Sequence, residues 1–172
     1  MHQVKYKQRT GIPPVDQGVL MYYNMGEINA GTANSIYEKD IASRYNTYIK
    51  SYPLALDIAL PIFSWGYIIR KGKVVQLLNK INFTYFKNDS NFTAAGRDRF
   101  LARQACFKAG YYFQQYDTIK LEHVPAAELV DMAKEINKNA GRIGTVILYD
   151  LDSSNIAQYD KDIFDKILDH ID

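Results

Sequence analysis

Three segments share one pattern: an apolar body that turns aromatic and polar at its C-terminal end. GVLMYYNMG (18–26), LALDIALPIFSWG (54–66) and GTVILYDLD (144–152) all carry it. Apolar residues on both parities predict strands covered on both faces. Between them the period lengthens. Ser35 and Glu38 have capping-box spacing, and Ile36, Ile41, Tyr45, Tyr48 and Ile49 approximate one helical face that stops before Pro53. Pro125 opens a second helix with Leu129, Met132, Ala133 and Ile136 on one face and Gly141 as its stop. A last helix, DKDIFDKILDHID, is expected to bury Ile163, Phe164, Ile167, Leu168 and Ile171.

The remaining stretches are less regular. HQVKY alternates and predicts a short strand, KQRTGIPPVDQG a polar loop, YIIRKGKVVQLL a hairpin about Lys71–Gly72, and TIKLEHV another strand. Residues 79–118 have the weakest periodicity, with a helix expected over RDRFLARQACFKAG. The order strand, helix, strand, insertion, helix, strand, helix predicts parallel strands joined by helical crossovers. No internal repeat or low-complexity tract is evident.

Composition narrows the chemistry. The 172 residues suffice for one domain with a sizeable core. Lys plus Arg number 21 and Asp plus Glu 19, a net charge of +2, which gives no reason to expect nucleic acid. Lys5, Lys7 and Arg9 alternate and Arg97, Arg99 and Arg103 share one segment; both groups read as solvated faces. The single cysteine, Cys106, excludes an intrachain disulfide and a cysteine metal cluster, and its neighbours suggest a core thiol. His2, His123 and His170 lack ligand spacing, so no metal site and no cofactor is expected. No apolar run reaches the ~20 residues of a membrane span, and no signal peptide opens the chain. HQVKYKQ directly after Met1 reads as mid-domain sequence. The sequons at Asn82, Asn88 and Asn91 read as chance matches. Tyrosine is unusually frequent, with 14 residues.

In α/β folds the cleft lies at the C-terminal ends of parallel strands. Here those ends read MYYNMG, PIFSWG and LYDLDSS. Aromatic faces beside short hydrogen-bonding side chains suit a carbohydrate, whose C–H faces pack on rings while its hydroxyls meet amides and carboxylates. The competing reading is tyrosine at the rim of a core with its hydroxyl in water.

These motifs resemble the last third of a family 18 glycoside hydrolase, the chitinase-like barrel. Met21-Tyr22-Tyr23-Asn24 is similar to that family's M-x-Y-D at the sixth strand, with asparagine for aspartate. ALPIFSWG resembles the seventh-strand pattern, with Phe63 at the usual tyrosine, and the family often carries an α/β insertion thereafter. PAAELVDMAKEINKNAGRIGTVILYDLD resembles the penultimate helix and the G-x-x-x-W-x-x-D strand, with Tyr149 for the tryptophan that floors the sugar site and Asp152 matching the aspartate. HQVKY, GIPPVD, GVLMYYNMG, LDIALPIFSWG and VILYDLDS look like a group of chitinase-like barrel proteins found as lipoproteins in gut Bacteroidetes. The resemblance covers most of the chain outside 79–118.

The resemblance implies a partial (β/α) barrel of about the last four βα units, formed by 1–66 and 125–172, with an α+β insertion over 67–124. It implies carbohydrate contacts from Tyr23, Asn24, Trp65, Tyr149 and Asp152, and a parent that is exported or a cell-envelope lipoprotein. The family's catalytic D-x-x-D-x-D-x-E has no match, so no catalytic residue is assigned. Asp150 and Asp152 are the carboxylates available at a strand tip, and Asp57 reads as an inward structural carboxylate. A half-barrel would leave an open inner face, so a homodimer or a missing N-terminal half-barrel is expected to cover it. Three functions are open: an inactive portion of a chitinase-like hydrolase, a non-catalytic glycan-binding module, or a structural or assembly protein.

Overall fold

The computed structural model describes residues 2–140 and 143–171; the helix stop expected at Gly141 and the start at Met1 lie outside the described residues. The strands are β1 (Gln17–Met21), β2 (Ala55–Pro61), β3 (Trp65–Arg70), β4 (Lys73–Asn79), β5 (Phe92–Ala94), β6 (Arg99–Ala102), β7 (Cys106–Lys108), β8 (Tyr111–Phe113), β9 (Thr118–Glu122) and β10 (Ile143–Tyr149). The helices are α1 (His2–Lys5), α2 (Lys7–Thr10), α3 (Lys39–Ile49), α4 (Ala126–Asn139), α5 (Ser153–Ile156) and α6 (Asp162–Leu168). The chain divides into two compact units, the first of 1–26, 36–62 and 124–172, the second of 27–35 and 63–123.

The first unit is built on a parallel sheet in the order β1-β2-β10. Side chains alternate across a strand, so one face holds Leu20, Leu56, Ile58 and Leu60, all buried. Val19, Met21 and Tyr149 share the opposite face and stay 54%, 55% and 48% exposed. Ala59 and Pro61 are buried on that same face, so it is covered over the central strand and exposed at the edge strands, where the apolar runs predicted full cover on both faces. Helix α4 buries Leu129, Met132, Ala133 and Ile136, the four positions its spacing predicts, with Pro125 as N-cap. In α6, Ile163 and Ile167 are buried, but Leu168 is 53% exposed. The buried Tyr22 hydroxyl donates to Asn46 Oδ1 at 2.7 Å, and Asn46 Nδ2 donates to Glu135 Oε2 at 3.3 Å, which ties the end of β1 to α3 and α4.

The second unit is antiparallel and strand-rich. Its five-stranded sheet runs β4-β3-β9-β6-β5, and β7 and β8 form a separate hairpin. Phe86, Phe92, Phe100 and Phe113 fill its core with Ile68, Leu78, Ile81, Ile119 and Leu121. Phe86 and Phe113 both meet the Phe92 ring edge-on, at 4.9 and 5.2 Å. The expected β3–β4 hairpin forms, and Lys71 and Gly72 take φ of 50° and 76°, the left-handed pair a tight two-residue turn requires.

The fold expected from the resemblance is overturned. Among the described residues, ten strands lie in mixed sheets, none closes into a barrel, and only three form the parallel sheet, so no four-unit partial barrel is present. HQVKY is helical: α1 buries one residue, Val4, and a single anchor suits one helical turn better than a strand with alternate residues inside. RDRFLARQACFKAG forms β6 and β7 instead of a helix, because Phe100 and Ala102 fill the core at a period of two while Arg99 and Leu101 stay partly exposed. Ser35 does not cap α3; that helix begins after Glu38, without a side-chain cap.

Candidate functional site

Two of the five sequence-nominated residues meet at the C-terminal ends of β1 and β10. The rings of Tyr23 and Tyr149 stack with centroids 5.4 Å apart and planes 6° from parallel. Tyr23 is 8% exposed and Tyr149 48%, so one ring forms a buried backing and the other presents a face to solvent. Burial is the main reason the Tyr23 hydroxyl is raised above its usual range, with Tyr149 and Asp150 adding to it. Asn24 follows at once, exposed, in a left-handed conformation (φ 55°) that asparagine tolerates better than most residues.

The carboxylates beyond β10 are engaged in local structure. Asp152 caps α5: its Oδ1 accepts from the Ser154 backbone N–H at 2.9 Å and from the Ser154 hydroxyl at 2.6 Å. Asp150 Oδ1 and its carbonyl accept from Asn155 Nδ2. Asp57 lies mid-strand in β2, and its Oδ1 is buried without a hydrogen-bond partner. Gly144 makes room for it, since a Cβ there would sit 2.6 Å from that oxygen.

Trp65 belongs to the second unit, and its indole N–H is committed. It donates at 3.0 Å to Glu122 Oε2, which also accepts from the Ser35 backbone N–H at 3.0 Å and from the Ser35 hydroxyl. Glu122 Oε1 accepts from Tyr67 at 2.6 Å and from Lys120 Nζ at 2.7 Å. Lys120 in turn donates to the Tyr67 hydroxyl at 2.9 Å and to the carbonyls of Thr32 and Ala33. Both side chains of this ion pair are 1% exposed. Burial alone would raise the Glu122 carboxyl, but the bonds from Lys120, Ser35, Tyr67 and Trp65 hold it below the usual carboxylate range. Burial and the contact with Glu122 push the Tyr67 hydroxyl far up. Every polar atom of the cluster is spent internally, which makes it a fastening for loop 27–35.

This cluster escaped sequence reading. Lys120 and Glu122 occupy alternate positions of TIKLEHV and so share one strand face, and opposite charges two apart were the available signal. Among the described residues no group of three or more His, Cys, Asp or Glu side chains is placed to hold a metal ion, and no helix is long and apolar enough to cross a membrane.

No family model and no curated protein matches the chain. Among solved structures it resembles a Group IV chitinase of Ostrinia furnacalis, at 12% identity and a TM-score of 0.48, over 98% of this chain and 51% of that one. It also resembles that chitinase in complex with allosamidin, at 12% identity and a TM-score of 0.42, over 91% and 49% of the two chains. The chain therefore spans about half the length of the chitinase structures it is similar to.

Proposed function

We propose that the chain binds carbohydrate, without cleaving it, at the tip formed by Tyr149, Tyr23 and Asn24. One observation carries this reading: the half-exposed ring of Tyr149 lies flat on the buried ring of Tyr23. A ring held in this way loses little freedom when a sugar's C–H face packs on it, and the exposed Asn24 amide lies next in the chain to offer both donors and an acceptor to hydroxyls. Glycoside hydrolysis needs two carboxyl groups across the scissile bond, one kept protonated. At this tip Asp152 is occupied as a helix cap and Asp150 by Asn155, so binding fits the local geometry better than catalysis.

The test is titration of the chain with soluble oligosaccharides chosen from a glycan array, with Tyr149→Ala and Asn24→Ala alongside. An aromatic contact is worth about 0.5–1.5 kcal/mol, so Tyr149→Ala is expected to weaken binding about two- to tenfold while the fold persists. Undiminished affinity in Tyr149→Ala would sink the proposal. A second reading, assembly, has its own observation: Val19 and Met21 leave the β1 edge of one face of a parallel sheet exposed, whereas such sheets are ordinarily covered on both faces. Light scattering across a concentration series separates the two, because a homodimer formed through that face would dissociate in Val19→Asp.

A further inference from the structure

The first unit carries a second surface, built on α1, α2 and α3, that the sugar reading leaves unused. Residues 2–15 contain Lys5, Lys7 and Arg9 and no carboxylate; residues 41–56 contain Arg44 and Lys50 and no carboxylate. Helix α1 packs against α3, which brings these segments together. None of the five cations forms an ion pair with a described carboxylate. With the flanking Asp16 and Asp40 counted, five cations still face two carboxylates, a local excess of positive charge in a chain of net charge +2.

Tyrosines are interleaved with it. Lys5 Nζ lies 5.4, 5.1 and 6.0 Å from the ring centroids of Tyr6, Tyr45 and Tyr48. Tyr6 and Tyr48 remain 37% and 38% exposed. Lys7 Nζ donates to the Ser51 carbonyl and so fixes α2 beside the C-terminal end of α3. Directly after α2, a loop stiffened by Pro13 and Pro14 presents Ile12 at 46% and Val15 at 52% exposure. Pro13 and Val15 line one groove with Gln3, Val4 and Tyr52, so the loop, α1 and the chain after α3 form a continuous surface.

We propose that this face docks on an anionic phospholipid bilayer. Unpaired cations select a negative surface, tyrosines suit the headgroup layer, and two bare aliphatic side chains beside them suit the acyl boundary. A phosphodiester polymer would employ the cations and the rings but give Ile12 and Val15 nothing to bury against. The attachment is peripheral, because α1 and α2 have four residues each and α3 has eleven.

The test is co-sedimentation of the chain with vesicles of phosphatidylcholine alone or with about a third phosphatidylglycerol. Partition onto the anionic vesicles is expected to be about tenfold stronger and to fall about tenfold as salt rises to about 0.5 M. Arg9→Glu/Arg44→Glu/Lys50→Glu should abolish it, and Ile12→Asp/Val15→Asp should weaken it about fivefold; all five positions are exposed, so circular dichroism should be unchanged. Equal binding to both vesicles, insensitivity to salt, or full binding by either folded variant overturns the proposal. So does retention of single-stranded oligonucleotide without vesicle binding, which would assign the face to nucleic acid. The salt series needs only the unaltered chain.

Discussion

Lys120 and Glu122 set the most demanding energetic problem in the molecule. Taking two charges out of water costs several kcal/mol per ion, and their attraction offsets this only when the remaining bonds are also made. Here they are: Glu122 accepts five hydrogen bonds, and Lys120 donates to two carbonyls and a tyrosine besides. Removing one partner leaves the other charge stranded. Lys120→Met is therefore expected to destabilise the chain by about 3–5 kcal/mol, read from the urea midpoint, and Lys120→Met/Glu122→Leu to recover part of that loss. No local pattern could reveal the arrangement, because the donors to Glu122 come from Ser35, Trp65 and Tyr67, distant in sequence. The stacked tyrosines differ: each was legible alone as an aromatic at a strand end, and only the pairing of β1 and β10 with β2 put one ring on the other.

At the scale of elements, close approach rather than propensity fixes several positions. A Cβ on Gly66 in β3 would stand 2.7 Å from the Lys120 carbonyl oxygen and 2.8 Å from Leu121 Cδ2. The first of these is backbone in the neighbouring strand β9 and cannot yield cheaply. Gly66→Ala is expected to cost about 1–3 kcal/mol, measured by thermal melting. Asp152 supports α5 as its cap, and Asp152→Ala should cost about 1 kcal/mol by the same measurement. The buried face of α4 was readable because its four positions recur at helical spacing. Strands β6 and β7 were not, since RDRFLARQACFKAG carries good helix formers and became extended only where Phe100 and Ala102 met a core assembled from other strands.

For the whole molecule, pH should act on the two units unequally. Glu122 and His123 both belong to the second unit. Glu122 is depressed below its ordinary 4.5 by its hydrogen bonds, against burial; His123 is depressed below 6.5 by burial first and by Arg97 second. A depressed group contributes stability that is complete above its ordinary value and lost as pH falls toward its folded value. Acidification should therefore weaken the second unit from about pH 6.5 downward through His123 and more steeply below about 4.5 through Glu122. Protection factors, corrected for the intrinsic pH dependence of exchange, are expected to fall in β3, β6 and β9 between pH 7 and pH 4 while β1 and β2 keep theirs. A uniform loss of protection would contradict this, and Glu122→Gln should remove the steep part of the profile.

Taken alone, the amino-acid sequence determined the parallel strands with aromatic ends, the face of α4, the hairpin at Lys71–Gly72 and the absence of any intrachain disulfide. Those features rest on short-range periodicity, turn stereochemistry or residue counts, which act within a few positions of the chain. Tertiary structure alone decided that the strands form a three-stranded sheet rather than part of a barrel, that the edge strands of that sheet stay exposed on one face, that 92–113 is extended in three-residue and four-residue strands, and that a lysine and a glutamate are buried together. Each of those outcomes depends on which distant segments supply the opposing surface, the hydrogen-bond donors or the next strand, and burial is a property of that encounter rather than of the segment itself.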